Sequence, residues 1–429
     1  MAKSNLKVSY DKKTFELYNG EHFFWLGDTC WSASWKTKWE EWETYVNYRS
    51  LQGFNVLQIC SIPYEDCTNM KYFERQPFGL TENGNWNYEN ISSEYFEFFN
   101  KMVSYANKKG LIVAIVLLWW NYIPNARLWT HPMPRSVMTM IQAKKYIKHM
   151  VDLLKDRDVV WLLTGDDTYY GDGVQEFNKE IGRTLKEYDS QNRLITEHPS
   201  RLSGEFFHNE KWLDFNMIQS SHFDAHQNLS YELSKEEYER TPQKPVVNAE
   251  ICYEWHKGFD YGHRFNRKDV RCAFWWSVLE GSLAGITYGA EGIFNWISDE
   301  EIENNAYPNI WISCGRALYN PGANDLIRAK KLLEEIEWYK LVPSNERILN
   351  KPARHISCAS STDKLVAYIP PYTPPTEGII ELDLSDIPTD AVAKWWDPSK
   401  GEIEIIGKIN SKRMTFLAPD KRDSLLIIS

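Results

Sequence analysis

From residue 20 to residue 300, apolar runs rich in β-branched residues alternate with stretches of helical period, and this rhythm limits the fold more than any other feature of the sequence. The runs end at Asp28 and then cover 55–63, 111–120, 159–167, 194–200, 215–222, 244–250 and 285–291; helical stretches fall at 38–52, 95–110, 137–156, 174–188, 234–240 and 268–282. Strands that are apolar along their whole length belong to a parallel sheet covered by helices. Eight of them predict closure as a (β/α)8 barrel, an α/β TIM barrel.

Ahead of the first strand, Asn19-Gly20 between two β-rich runs predicts a hairpin. Beyond residue 340 the pattern changes. HISCAS, KLVAYIPP, GIIELDL, AVAKWWDP, EIEIIGKI, RMTFLAP and SLLIIS are short runs divided by Pro, Gly and Asp turns, with no helical stretch among them. They predict a small all-β antiparallel sandwich. The expected division is a barrel with its hairpin over 1–340 and a sandwich over 341–429, with YIPPYTPP at 368–375 as an extended loop.

A formal net charge of −10 without basic clusters excludes a nucleic-acid surface. No apolar run approaches the length of a membrane span, and MAKSNLKVSY lacks the apolar core of a signal peptide, so the expected setting is the cytoplasm. Seven cysteines, Cys67 among them, are odd in number and form no close pair, as free thiols in a reducing compartment would. No Cys/His spacing calls for a metal, and no cofactor is expected. Aromatic residues make up 14% of the chain, and several stand beside polar ones. Flat rings next to hydrogen-bonding groups suit a sugar.

The chemistry sits where strands end. KPVVNAE delivers Glu250 to the tip of the seventh strand, and VVWLLTGDD delivers Asp166 and Asp167 to the tip of the fourth. Strands 4 and 7 lie nearly opposite around a barrel, so their carboxyls can face each other over its mouth as general acid and nucleophile, or as acid and base with a water between them. Asp28, Gln58, Gln219 and Tyr288 are candidate partners for sugar hydroxyls. His198 and His222 follow strands and are candidate substrate contacts. Tyr253 stands three residues past Glu250 and can bond a carboxylate. Trp31, Trp119 and Trp120 are candidates for a sugar platform; Trp119 and Trp120 extend an apolar strand, so one of them is expected in the core, and Trp120 is the one assigned with Trp31 to the platform.

FFWLGDTCW (23–31), LQGFNVLQ (51–58), WLLTGDD (161–167), EHPS (197–200), WLDFNMIQSSH (212–222), KPVVNAEICYE (244–254) and ITYG (286–289), in this order, resemble the apiosidase-like catalytic domain of glycoside hydrolase family 140 and its relatives. WWDPSKGE and MTFLAPDKRDSLLII resemble the small β-sandwich that follows that domain. The resemblance implies a retaining, exo-acting glycosidase, β-apiosidase-like, that cleaves a terminal sugar from plant-derived oligosaccharides or glycosides, with Glu250 as nucleophile and Asp166 as acid/base. Thr164 stands where relatives often carry the first of two glycines, and Asp167 adds an adjacent acid, so Asp167 is the alternative acid/base. The rival readings are a catalytically silent carbohydrate-binding barrel, a relative specific for another pentose or deoxysugar, and a metal-dependent barrel hydrolase. Subunit count is left open, a homo-oligomer included.

Overall fold

The computed structural model describes residues 6–64, 70–126, 137–307, 309–350, 352–371, 378–419 and 421–429. Residues 1–5, Cys67 and the 372–375 part of the expected extended loop lie outside them.

Eight parallel strands form the barrel: β1 (Trp25–Thr29), β2 (Val56–Cys60), β3 (Ile112–Trp119), β4 (Val159–Asp167), β5 (Ile195–Pro199), β6 (Asn216–Gln219), β7 (Val246–Glu250) and β8 (Gly285–Tyr288). They are hydrogen-bonded in the order β5-β4-β3-β2-β1-β8-β7-β6. Every residue in all eight is buried, which is why the sequence reads as continuous apolar runs rather than as alternation. Between β5 and β6 no ladder forms, yet the seam is bonded. Asp214 N–H donates to the Ile195 carbonyl at 2.9 Å. The Asp214 carboxylate accepts from Ile195 N–H at 2.9 Å, and Thr196 Oγ1 donates to the Phe215 carbonyl at 2.7 Å.

Each strand is followed by a helix: α1 (Trp39–Gln52), α2 (Ser93–Lys108), α3 (Met140–Leu153), α4 (Val174–Tyr188), α5 (Gly204–Phe207), α6 (Leu229–Tyr238), α7 (Arg267–Leu279) and α8 (Pro321–Glu335). Their starts are written locally. Thr139 and Gln142 form a capping box on α3, Asn266 and Asp269 form one on α7, and Pro321 takes the first turn of α8, where its missing N–H is not needed. The eighth helix lies beyond the last strand and is not among the expected stretches, nor is the single turn of α5. The expected hairpin pairs Phe15–Leu17 with His22–Phe23, and Leu6–Val8 adds a third strand. Phe15 packs edge-on against Phe215 at the N-terminal end of the barrel, closing its floor.

In the C-terminal region β9 (Val342–Pro343), β10 (Ser357–Ser360), β11 (Leu365–Ile369), β12 (Ile379–Asp383), β13 (Val392–Trp396), β14 (Ile403–Lys408), β15 (Arg413–Leu417) and β16 (Ser424–Ile428) are antiparallel. Six form a sheet ordered β9-β10-β11-β16-β13-β14, and β12 pairs with β15 in a second sheet. Strand alternation gives the large sheet two buried faces. Leu365, Ala367 and Ile369 join Ile380, Leu382 and Phe416 in a core between the sheets. Val366, Tyr368, Leu425 and Ile427 point the other way and merge with the barrel core. A charged cluster locks the same boundary: Arg271 of α7 donates to Asp423 at 2.7 Å and to Asp325 of α8 at 2.6 Å. Among the described residues no helix is long and apolar enough to cross a membrane.

Candidate active site

Glu250 is the last residue of β7 and is 5% exposed. A carboxylate buried this deeply needs donors for its lone pairs, and three converge on it. Gln219, at the tip of the neighbouring β6, donates Nε2 to Oε1 at 2.7 Å. His222 lies three residues further on, with Nε2 at 3.0 Å from the same oxygen. Tyr253 donates its hydroxyl to Oε2 at 2.6 Å and accepts from Trp31 Nε1 at 3.1 Å. The backbone N–H of Tyr253 donates to His222 Nδ1 at 3.3 Å. A ring nitrogen that accepts carries no proton, so the His222 proton sits on Nε2 and points at Glu250.

Burial alone would raise the Glu250 carboxyl, but the hydrogen bonds from His222 and Tyr253 reverse this and hold it down at about 2. Glu250 is therefore an anion at neutral pH. Oε1 takes two donors and Oε2 takes one, so Oε2 has the freer lone pair. His198, at the end of β5, stands 3.6 Å from Oε2. Its ring packs edge-on against Trp31 and nearly parallel to Trp119, and burial holds it below the usual histidine range, so it is neutral.

The opposite wall comes from β4. Asp166 is 8% exposed and adopts a left-handed backbone, φ 54°, a conformation Asp tolerates better than most residues. The residue before it has to be glycine, because a Cβ on Gly165 would come within 2.1 Å of the Trp119 ring. Asp167 turns away from the mouth toward α4, accepting from Tyr169 N–H at 2.7 Å and from Asn178 Nδ2 at 3.3 Å. Burial raises its carboxyl to about 6 despite these bonds. Behind the strand, fully buried Glu197 accepts from both the N–H and the hydroxyl of Thr164, at 2.9 and 2.6 Å. Burial pushes it well above the usual carboxyl range, so it holds its proton.

These two walls enclose a cavity of about 620 Å³. Of the residues singled out in the sequence, Glu250, Asp166, Trp31, Gln219, His222 and Tyr253 line it. His198 lies just behind, against Trp31 and Trp119. The other five are elsewhere. Asp28 and Tyr288 pair in register on β1 and β8 and face the helices rather than the mouth. Asp28 accepts from Arg49 Nε at 2.5 Å and Tyr45 at 2.7 Å, and Tyr288 donates to Glu254 at 2.7 Å. Gln58 points into the barrel below the cavity, between the Ala249 carbonyl and the Thr287 hydroxyl, each at 3.0 Å. Asp167 faces α4, as above. Trp120 begins the turn after β3, and its neighbour Trp119 takes the place at the wall expected of it.

Tyr64, His256, Phe259, Phe294, Asn295 and Tyr307 also line the cavity, and no sequence pattern marked them. All six come from loops, where neither period nor propensity identifies a side chain as inward-facing. GFDYGH, a pair of rings between glycines, is the one signal that could have drawn attention. Among the described residues no group of three His, Cys, Asp or Glu side chains is arranged to hold a metal ion.

The sequence model described as "Apiosidase-like, catalytic domain" matches residues 9–340. In fold the chain is similar to a solved glycoside hydrolase at 24% identity and a TM-score of 0.82, covering 99% of this chain and 96% of that one. It is also similar to a glycoside hydrolase family 5 protein of Bacteroides vulgatus ATCC 8482, at 23% identity and a TM-score of 0.81, covering 99% and 93%. No curated protein matches. With the family match extending over most of its length, the chain belongs to the apiosidase-like catalytic domain family and is a glycoside hydrolase.

Proposed function

We propose that this enzyme works by retention, releasing a terminal sugar, with Glu250 as nucleophile and Asp166 as acid/base. The observation that carries this reading is the convergence of Gln219, His222 and Tyr253 as donors on one buried carboxylate in a cavity that Asp166 also lines. In the first step Oε2 of Glu250 attacks the anomeric carbon, the glycosidic C–O bond breaks, and Asp166 gives its proton to the leaving oxygen. In the second, Asp166 takes a proton from water, the water oxygen attacks the same carbon, and the glycosyl–Glu250 ester bond breaks to regenerate both groups.

Asp166 is favoured over Asp167 because Asp167 is bonded toward α4 while Asp166 faces the cavity. The exo mode rests on the family likeness. The family likeness supports a β-apiosidase or an enzyme for a related pentose or deoxysugar on plant-derived oligosaccharides or glycosides. None of the six described cysteines forms a disulfide, which supports a reducing, cytoplasmic setting.

The test is hydrolysis of a panel of aryl and plant-derived glycosides, apiosides included, by wild type and by Glu250→Gln. Wild type releases one sugar, the first-formed product keeps the substrate's anomeric configuration by NMR, and Glu250→Gln loses about 10⁴-fold or more in kcat. Azide restores turnover to Glu250→Gly and yields a glycosyl azide of inverted configuration. Undiminished turnover in Glu250→Gln removes Glu250 from the mechanism.

A further inference from the structure

A second cavity of about 480 Å³ adjoins the first, and the two share His256, Phe259, Phe294 and Ile310 as a common wall. Tyr261, Lys257 and Asp260 line only the outer one. Two large rings here stand in solvent, Phe259 at 54% and Tyr261 at 85% exposure. Exposed rings on a surface loop usually need no explanation. These two differ because the loop that carries them, between β7 and α7, is rigidly built.

Asp224, five residues past the end of β6, accepts from the backbone N–H groups of Asp260 at 2.9 Å, Tyr261 at 3.1 Å and His263 at 3.0 Å. Asp260 returns the bond by accepting from Ala225 N–H at 2.9 Å. Gly258 is required for this approach, since a Cβ there would stand 2.4 Å from the Asp224 carboxyl. Phe259 N–H donates to the His222 carbonyl at 3.0 Å, tying the loop to the residue that orients Glu250. Across the cavity, Arg264 stacks on Trp311 at 3.8 Å and pairs with Glu291 at 2.9 Å, fixing a second rim.

Holding apolar rings out in water has a cost, and rigidity lowers the entropy lost when something covers them. Phe259 and Tyr261 offer ring faces for stacking, and Lys257 and Asp260 beside them offer a donor and an acceptor, a combination suited to a sugar's C–H face and hydroxyls. The shared wall sets the outer cavity beside the inner one, within reach of the next sugar of a substrate whose terminal sugar lies against Glu250. We infer that the outer cavity is a subsite for the leaving-group side of an oligosaccharide, seating one sugar on Phe259 and Tyr261 while the sugar to be released sits against Glu250. The inference rests on the glycosidase reading of the inner cavity.

The experiment overlays a printed array of plant cell-wall oligosaccharides, from disaccharides to hexasaccharides, with Glu250→Gln and with Glu250→Gln carrying Tyr261→Ala. Tyr261 is almost fully exposed, so its loss leaves the fold intact; a melting curve checks this. The expected result is that members held by Glu250→Gln are held about tenfold more weakly once Tyr261 is gone, the order of one aromatic contact, while the free monosaccharide competes equally with both proteins. Equal retention by the two proteins overturns the subsite, and so does retention of no member by Glu250→Gln. Should Glu250→Gln still hydrolyse its substrate, the nucleophile assignment fails, but the ratio between the two proteins still decides the subsite.

Discussion

The strand tips on the two sides of the candidate cavity hold their acids in opposite ways. On the β6–β7 side, Gln219, His222 and Tyr253 all donate to Glu250, and its carboxyl is held at about 2. On the β4–β5 side, burial outweighs the available donors: Asp167 is raised to about 6 and Glu197 far above its usual range. One wall stabilises an anion and the other favours protonated acids.

Replacing Asp166 is the largest test of that contrast on the acidic wall. Asp166→Asn is expected to lower kcat by about 10²–10⁴-fold on substrates with poor leaving groups, and by much less where the leaving group needs no proton. Steady-state rates on an alkyl and a dinitrophenyl glycoside of the same sugar read the difference; equal losses on both would assign the proton to another residue.

Tyr253→Phe removes one donor from Oε2 without changing the shape of the cavity. A hydrogen bond to a charged group contributes about 1.5–3 kcal/mol, so kcat/KM is expected to fall by roughly 10–100-fold, with the acidic limb of its pH profile shifted upward as Glu250 becomes easier to protonate. A fall in rate with an unmoved limb would mean that the tyrosine acts on substrate and not on Glu250.

Glu197 provides a control from the other wall. Because its carboxyl is protonated, Glu197→Gln keeps a neutral acceptor for Thr164 and should leave the melting temperature nearly unchanged. Glu197→Ala abandons the Thr164 N–H and hydroxyl and should cost about 1–3 kcal/mol in denaturant unfolding. Equal destabilisation by both would show that the folded protein needs the anion.

The last contrast is in stability against pH. His256 is held down to about 3, chiefly by burial, so between its unfolded value near 6.5 and about 3 only the unfolded chain takes up the proton. Stability from this residue is complete above about pH 6.5 and falls with pH by up to roughly 1.4 kcal/mol per unit. Asp167, raised to about 6, works in the other direction: from about pH 6 down to its unfolded value near 3.9 the folded chain binds the proton, and stability rises as pH falls. His256→Phe should therefore flatten the acid loss seen by chemical denaturation, and Asp167→Asn should steepen it. Matching slopes in wild type and both variants would remove the contrast.

Much of this was legible in the chain. Eight buried strands, the hairpin at Asn19-Gly20 and seven short C-terminal strands all follow from periodicity and turn residues, which act over a few neighbours. Glu250 and Asp166 stood out because a carboxylate at the end of an apolar run is costly without a purpose. The direction of each tip residue was less legible. Asp28 and Asp166 both end apolar strands, yet one is locked to Arg49 under α1 and the other faces the cavity. A strand sends successive side chains to opposite sides, so a one-residue change in where it bends exchanges wall for helix layer. Trp119 and Trp120 were exchanged for the same reason.

The sequence by itself determined the class of fold, the ends of its strands and the acids standing there, since each depends on residues a few positions apart. Tertiary structure alone decided which oxygens of Glu250 are occupied, which aspartate of the β4 pair faces it, and which loop rings complete the cavity. Gln219, His222 and Tyr253 come from two different strand–loop junctions, and Trp31 from a third. Their meeting is fixed by barrel closure, a long-range condition that no local pattern encodes.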